Sequence, residues 1–415
     1  MTGFSSLAER ALRSRLAALR AGALVLRDGG GAATFGDPAA APLEIVVRDR
    51  RFYAAVILGG SLGAAEAYTQ GWWTTGDLTG VVRLLLRNRG TLERLDGAWA
   101  RGAGLLRRLG YRLQRNTPRG SRRNIRAHYD LGNEFFALFL DDTLTYSCGL
   151  FERPDASLRD ASIAKYDRMA ALLDLRPGDH VVEIGTGWGG FAVHAARRFG
   201  CRVTTTTISA QQARLARQRV ADAGLADRVT VLERDYRDLE GAYDKLVSIE
   251  MIEAVGHEYV GPFFAKCSAL LKPSGRAAIQ AITIPDERYD YARREVDFIK
   301  RYIFPGGCLP SLAVLRRAAA ATDLRLERVD EIGLHYAETL RRWRADFTRN
   351  REAVAALGFD ERFRRIWEFY FCYCEGAFLE RAIGDVQLAY AKPAAAAPGP
   401  VAAPPAPPDA VGVAA

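Results

Sequence analysis

The chain lacks any stretch apolar and long enough to span a membrane. Outside its C-terminal tail the longest uncharged runs, residues 52–65 and 302–315, are fourteen residues each, whereas a spanning helix needs roughly 20. The first twenty residues carry charges throughout and hold no apolar core of the secretory kind. Cysteine is sparse: six residues, at 148, 201, 267, 308, 372 and 374, with no CxxC pair. A disulfide scaffold and a cysteine-built metal site are thereby disfavoured, no metal is expected, and a reduced, cytoplasmic compartment is the simple reading. Cys372 and Cys374, two apart in an aromatic helical segment, are too poorly placed to bridge each other. They read as core or as a wall of a binding cleft. Acid is missing from one long window. Between residues 97 and 129 there is no Asp or Glu, but there are nine arginines.

What is present suffices for a large core. The 415 residues are 49% apolar and 26% charged, which excludes collagen-like and wholly disordered classes and suggests two domains, or one with an appendage. The net charge of +9 equals the nine arginines of that window, so the excess is local. Leu105, Leu106, Leu109 and Leu113 recur there at near-helical spacing. A basic segment with an apolar stripe suits an anionic lipid surface, nucleic-acid phosphates, or a solvated helix with no partner.

Three segments follow from the pattern. Residues 1–123 read as a mainly helical N-terminal domain with one strand-like piece, LEIVVRD, and a basic linker. Residues 124–392 alternate apolar runs with amphipathic ones, which implies right-handed crossovers and a parallel sheet with helices on both faces, an α/β domain. Residues 393–415 hold seven Pro and ten Ala, a composition that favours disorder.

The segment VVEIGTGWGG closes a β-branched strand with Glu183, then supplies Gly185, Gly187 and Gly189 before a helix. Glycines there let the backbone turn sharply and approach a nucleoside-bearing ligand. Alone the spacing also fits dinucleotide enzymes or a purely structural turn. The next strand, however, ends in TTTTIS, without the acid that a nicotinamide ribose usually requires. The order E-x-G-x-G-x-G instead resembles class I S-adenosylmethionine-dependent methyltransferases, with their Rossmann-like sheet.

Further segments narrow the resemblance. NIRAHYDLGNEFFALFLDDTLTYSCGLF, SIEMIEAVGHEY, FIKRYIFPGGCLPS and GLHYAETLRRW, with the glycine loop, resemble the cyclopropane-fatty-acyl-phospholipid synthase family, including its mycolic-acid-modifying relatives. The resemblance runs over residues 43–392. It implies methyl transfer from S-adenosyl-L-methionine to the cis double bond of an unsaturated phospholipid acyl chain. The products would be a cyclopropane or, if the cation rearranges, a methyl- or methylene-branched chain. A small-molecule or nucleic-acid methyltransferase, and a non-catalytic lipid-binding relative, are competing readings that YSCG, YIFPGGCLPS and the intact loop disfavour. The alkene is a poor nucleophile and its attack leaves a carbocation, so the site must exclude water and surround the cation with aromatic faces. A base must then sit close to the new methyl.

The resemblance implies that this base is bicarbonate, cradled by Cys148 and Ile282 through backbone N–H groups, by the Tyr336 hydroxyl and by Glu253. Gln280 stands where the better-known family pattern has histidine, and an amide cannot become cationic. Glu250 and Glu253, three apart, read as sharing a helical face, and the resemblance selects Glu253. For S-adenosylmethionine it implies Tyr129, Tyr146, Ser147, Glu183, Gly185, Gly187, Gly189, Thr207, Gln212, Tyr236 and Ile249. Arg237 takes a position where relatives often carry an acid. His128 reads equally as a packing residue or part of the pocket. The expected partner is unsaturated phospholipid in an anionic membrane surface, with peripheral docking through the arginine block on the inner face. No nucleic-acid partner is expected; the resemblance admits a homodimer and leaves the oligomeric state open.

Overall fold

The computed structural model describes residues 2–94 and 131–393. The arginine block, His128, Tyr129 and all of the tail beyond Pro393 lie outside the described residues. Two sheets organise the rest. The longer helices and the strands are numbered in chain order.

The N-terminal part opens with α1 (Thr2–Leu16) and a four-stranded sheet of β1 (Ala23–Asp28), β2 (Gly31–Gly36), β3 (Pro42–Val47) and β4 (Trp73–Thr74), in the order β2-β1-β3-β4. Helices α2 (Arg51–Thr69) and α3 (Leu78–Arg87) complete it. The reading of this part as helical with one strand is therefore amended. β3 falls where LEIVVRD suggests, but β1 and β2 form a hairpin and β4 is only two residues long. The run of small residues in α2 has a geometric cause. The helix kinks at Gly60 (φ 59°), and a Cβ on Gly63 would sit 1.9 Å from the Ala55 carbonyl oxygen.

The second sheet contains β5 (His180–Ile184), β6 (Arg202–Thr207), β7 (Val229–Glu233), β8 (Tyr243–Ile249), β9 (Leu271–Thr283), β10 (Arg325–Glu331) and β11 (Gly384–Ala391). Its order is β10-β11-β9-β8-β5-β6-β7; β11 runs antiparallel to both its neighbours, and the other pairs are parallel. This is the α/β architecture expected of a class I methyltransferase. Helices α4 (Leu158–Leu173), α5 (Gly190–Phe199), α6 (Ala210–Asp222), α7 (Val260–Leu270) and α8 (Leu312–Ala320) are the longer helices of this part before β10. Strand order reverses between β5 and β8, and in open parallel sheets the crevice at that reversal receives the ligand.

Two further helices, α9 (Gly333–Arg349) and α10 (Glu361–Leu379), precede β11 and pack on each other. Their aromatic faces meet Phe135 and Phe139, with ring centroids 4.7 Å apart for Phe135–Trp367 and 5.4 Å for Phe139–Phe371. The same apolar cluster takes in Leu12, Leu24, Tyr53, Trp73 and Leu84 of the N-terminal part. Polar ties run across this junction: Tyr68 donates to Glu368 at 2.9 Å, Thr79 to Glu375 at 3.1 Å and Arg83 to Glu380 at 2.7 Å. The N-terminal elements thus share a core with the helices that wall the methyltransferase sheet.

Gly63→Ala should be strongly destabilising, by about 2 kcal/mol or more, because the clash is with backbone that cannot rotate away. Thermal or urea unfolding of the variant measures this. An unchanged midpoint would show that α2 is not pinched at this point.

Candidate active site

The glycine loop leaves β5 at the strand reversal. Gly185 and Thr186 donate their N–H groups to the Thr206 carbonyl at 3.1 and 3.0 Å, which fixes the turn against β6. Gly187 has φ 51°, and a Cβ there would meet no atom within 4 Å, so its backbone is open to an incoming ligand. Gly189 acts differently. It is the cap residue of α5, does not line the cavity described below, and a Cβ on it would come 3.3 Å from that of Ala216 on α6. Glu183 is buried and faces the cavity, and its Oε2 has no hydrogen-bond partner.

Around this loop stand the other residues singled out for the methyl donor. Thr207 donates to the Gln212 side-chain oxygen at 2.8 Å. Ser147 accepts from the buried ammonium of Lys165 at 2.6 Å. Tyr236 is buried with its hydroxyl unpartnered, and Arg237 pairs with Asp235 while its guanidinium lies 5.5 Å from the Tyr236 ring. All of these, with Tyr146 and Ile249, line one cavity.

That cavity has a volume of about 680 Å³, within the ordinary range for a ligand site. It extends beyond the loop between Tyr146, Phe304, Tyr336, Tyr370 and Phe378, and on past Val56, Trp73, Leu78 and Val81 of the N-terminal part. Tyr146 packs against Trp343 with centroids 5.2 Å apart, and Tyr336 stacks on Phe378 at 4.7 Å. Cys374 lines the cavity, whereas Cys372 is fully buried in the core. All six cysteines are free thiols. Among the described residues no helix is long and apolar enough to cross a membrane.

The donors assigned to a bound anion do converge, but most of them on a side chain. The Cys148 N–H donates to Glu250 Oε1 at 2.8 Å, Gln280 Nε2 donates to the same oxygen at 2.7 Å, and the Tyr336 hydroxyl donates to Glu250 Oε2 at 2.6 Å. Ile282 N–H is also engaged by a carboxylate, Glu253 Oε1 at 2.5 Å. Where bicarbonate was expected, the cradle therefore holds Glu250. Cys148 and Gln280 stand behind this carboxylate and do not line the cavity. The helical-face reading of Glu250 and Glu253 is also corrected. Glu250 follows β8 with φ 48°, the left-handed region that disfavours a side chain, and only residues 252–254 form a short turn of helix.

Glu250 and Glu253 are half-buried and both line the cavity. Burial raises the Glu250 carboxyl, opposed by the Tyr336 and Cys148 hydrogen bonds and by Lys165. Burial, reinforced by the charge of Glu250, pushes Glu253 up to about 8. Desolvation pushes Lys165 in the opposite direction, downward. Sequence reasoning did not single out Lys165, Phe304, Tyr370 or Asp385. Only the acid before MIE, just after β8, marked the group that occupies the cradle.

The mycolic acid cyclopropane synthetase family model matches residues 116–388. The chain belongs to that family. It is 42% identical over 331 residues to the tuberculostearic acid methyltransferase of Mycobacterium tuberculosis, covering 77% of this chain and 76% of that protein. It is 35% identical over 355 residues to the cyclopropane-fatty-acyl-phospholipid synthase of Escherichia coli K12, covering 84% and 87%. A crystal structure of a mycolic acid cyclopropane synthase complexed with SAH and CTAB superposes with a TM-score of 0.62 at 34% identity, covering 65% of this chain and 98% of that one. The protein is a class I S-adenosylmethionine-dependent methyltransferase. Its site fits that cosubstrate: Glu183 has an orphaned oxygen for a cationic donor group, and Gly187 leaves the loop open.

Burial lifts the Glu183 carboxyl to about 8 from its ordinary 4.5. The ligand-free folded chain thus keeps a proton that the unfolded chain has released. The associated stability is present at low pH and is lost as pH rises from about 5 towards 8. Glu183→Gln should flatten part of that fall, read as melting temperature against pH. It should also weaken S-adenosylmethionine binding roughly tenfold, as expected for a lost charged hydrogen bond. Unchanged calorimetric affinity would remove Glu183 from the binding site.

Proposed function

We propose that the protein methylates the cis double bond of an unsaturated phospholipid acyl chain, and that the Glu250 carboxylate, in place of bicarbonate, removes the proton that closes a cyclopropane ring. The π electrons attack the methyl carbon, a C–C bond forms, S-adenosylhomocysteine leaves, and positive charge remains on the neighbouring carbon. Glu250 then takes one proton from the new methyl, and the freed C–H electrons form the second ring bond.

The observation that carries this reading is a carboxylate gripped by Cys148, Gln280 and Tyr336 at the wall of an apolar, aromatic-lined cavity. Ring faces stabilise a passing cation through their quadrupole and give no nucleophile to trap it. The N-terminal stretch of the cavity suits a hydrocarbon tail. Arg15 and Arg89 also line it and suit a lipid phosphate. Peripheral docking on an anionic surface accords with this substrate.

A second reading is favoured by the 42% identity to a tuberculostearic acid methyltransferase. If a hydride shifts before deprotonation, the same cation yields a methylene-branched isomer of equal mass. Vesicles of dioleoyl phosphatidylglycerol incubated with methyl-labelled S-adenosylmethionine test both. Upfield cyclopropyl protons in the NMR spectrum of the product chains support the first reading, and vinylidene protons the second. Label that never enters lipid would sink both.

Glu250→Gly tests the base. Glycine suits φ 48° better than glutamate, so folding should survive. Turnover should fall by about a hundredfold or more and recover in part with millimolar formate or bicarbonate, which would fill the emptied cradle. Wild-type turnover should be indifferent to carbonate depletion. A wild-type enzyme that stops in carbonate-free buffer would instead restore bicarbonate as the base.

A further inference from the structure

Asp385, the second residue of β11, is fully buried and stands opposite Ile282 in the ladder. Its Oδ2 accepts from Gln280 Nε2 at 3.3 Å, the same nitrogen that donates to Glu250 at 2.7 Å. Its Oδ1 has no hydrogen-bond partner. The two carboxyls share the Gln280 donor, and Lys165, Glu253 and Glu331 act on the pair electrostatically, with the Cys148 thiol beside Asp385. Two ionised carboxylates that share one donor in the protein interior repel strongly, so the pair is stable with one proton between them.

Asp385 also stands behind the residues that line the cavity. Its backbone N–H donates to Glu331 Oε1 at 3.4 Å. Glu331 is exposed, and with Gly333 and Gly384 it lines a separate groove of about 220 Å³. The fold therefore sets a buried acid between the base of the catalytic cavity and an outer groove.

We propose that Asp385 is a proton relay: it takes the proton from Glu250 after each methyl transfer and passes it out toward the Glu331-lined groove, without admitting water to the catalytic cavity. This rests on the reading of Glu250 as the base. In the resting pair one proton is shared. Turnover breaks a methyl C–H bond and forms an O–H bond on Glu250, so the pair holds two protons. The surplus moves to one Asp385 oxygen as the other passes its proton to the Glu331 carboxylate, which gives it up to solvent in the groove, and this restores the Glu250 carboxylate.

Asp385→Asn keeps the shape and the acceptor for Gln280 but cannot relay. With tritiated-methyl S-adenosylmethionine and dioleoyl phosphatidylglycerol vesicles, the variant should form about one product per site at the wild-type rate. It should then slow at least roughly tenfold in steady state, with KM for both substrates unchanged. A merely structural role would slow the first turnover as much as later ones. That result, or an unchanged steady state, overturns the relay. Should the variant not fold, the wild type decides: a solvent deuterium effect of about two or more on steady-state turnover, absent from the first turnover, supports the relay, and no effect on either overturns it. Failure of the wild type to label lipid would instead remove the underlying reading of Glu250.

Discussion

The site depends on holding a negative charge out of water with mostly neutral groups. Glu250 is gripped by a backbone N–H, an amide and a phenol, and Lys165 is the buried cation that acts on it. Neutral donors stabilise a buried carboxylate less than an ion pair would. They therefore leave it basic, as burial also does, and an abstracting group must be basic. Complete neutralisation by a close arginine would make the carboxylate easier to bury and useless as a base. The left-handed backbone of Glu250 belongs to the same compromise. A strained conformation, costing on the order of 1–3 kcal/mol, brings the side chain into the cradle from the end of β8.

The architecture explains how that charge meets an apolar cavity. The strand reversal between β5 and β8 fixes the donor-binding loop, and β8 and β9 deliver Glu250, Gln280 and Ile282 beside it. The sheet alone would offer only a crevice at its edge. Helices α9 and α10 roof it with aromatic side chains, and the N-terminal elements pack on α10. Removing the N-terminal part would thus uncover an apolar helix face and open the cavity to water, so the shared core serves both stability and the dryness that the cation needs.

Much of the catalytic sheet was legible because its strands are β-branched runs and its loop is marked by glycine, both local signals. The N-terminal sheet was less so. β2, GAATFG, has few apolar side chains and no buried residue, and β4 has only two residues. Their pairing is set by β1 and β3, which no local pattern reveals. The cradle residues Cys148, Gln280, Ile282 and Tyr336 were found through resemblance, and they do cluster. The place of Glu250 among them was not legible, because Glu250 and Glu253 are spaced as on a helix, while the chain turns through a positive φ between strand and short turn. Asp385 was invisible for a different reason. It sits 135 residues from Glu250 in sequence, and only the antiparallel insertion of β11 beside β9 brings the two together.

A base carried by the chain alters what the rest of the site must do. A diffusible anion that accepts a proton can leave with it, so its departure resets the site. A carboxylate on the backbone cannot leave. Each turnover would otherwise end with a neutral acid at the wall of the aromatic-lined cavity from which the proposed chemistry has to exclude water. Opening the cavity to solvent would clear the proton but expose the next cation to capture. An exit through the back of the cradle, as proposed for Asp385, avoids that conflict, because a proton handed between acids needs no opening of the cavity. If Glu250 is the base as proposed, its placement in the cradle and the burial of a second acid at the start of β11 are one adaptation, the first creating the need that the second meets.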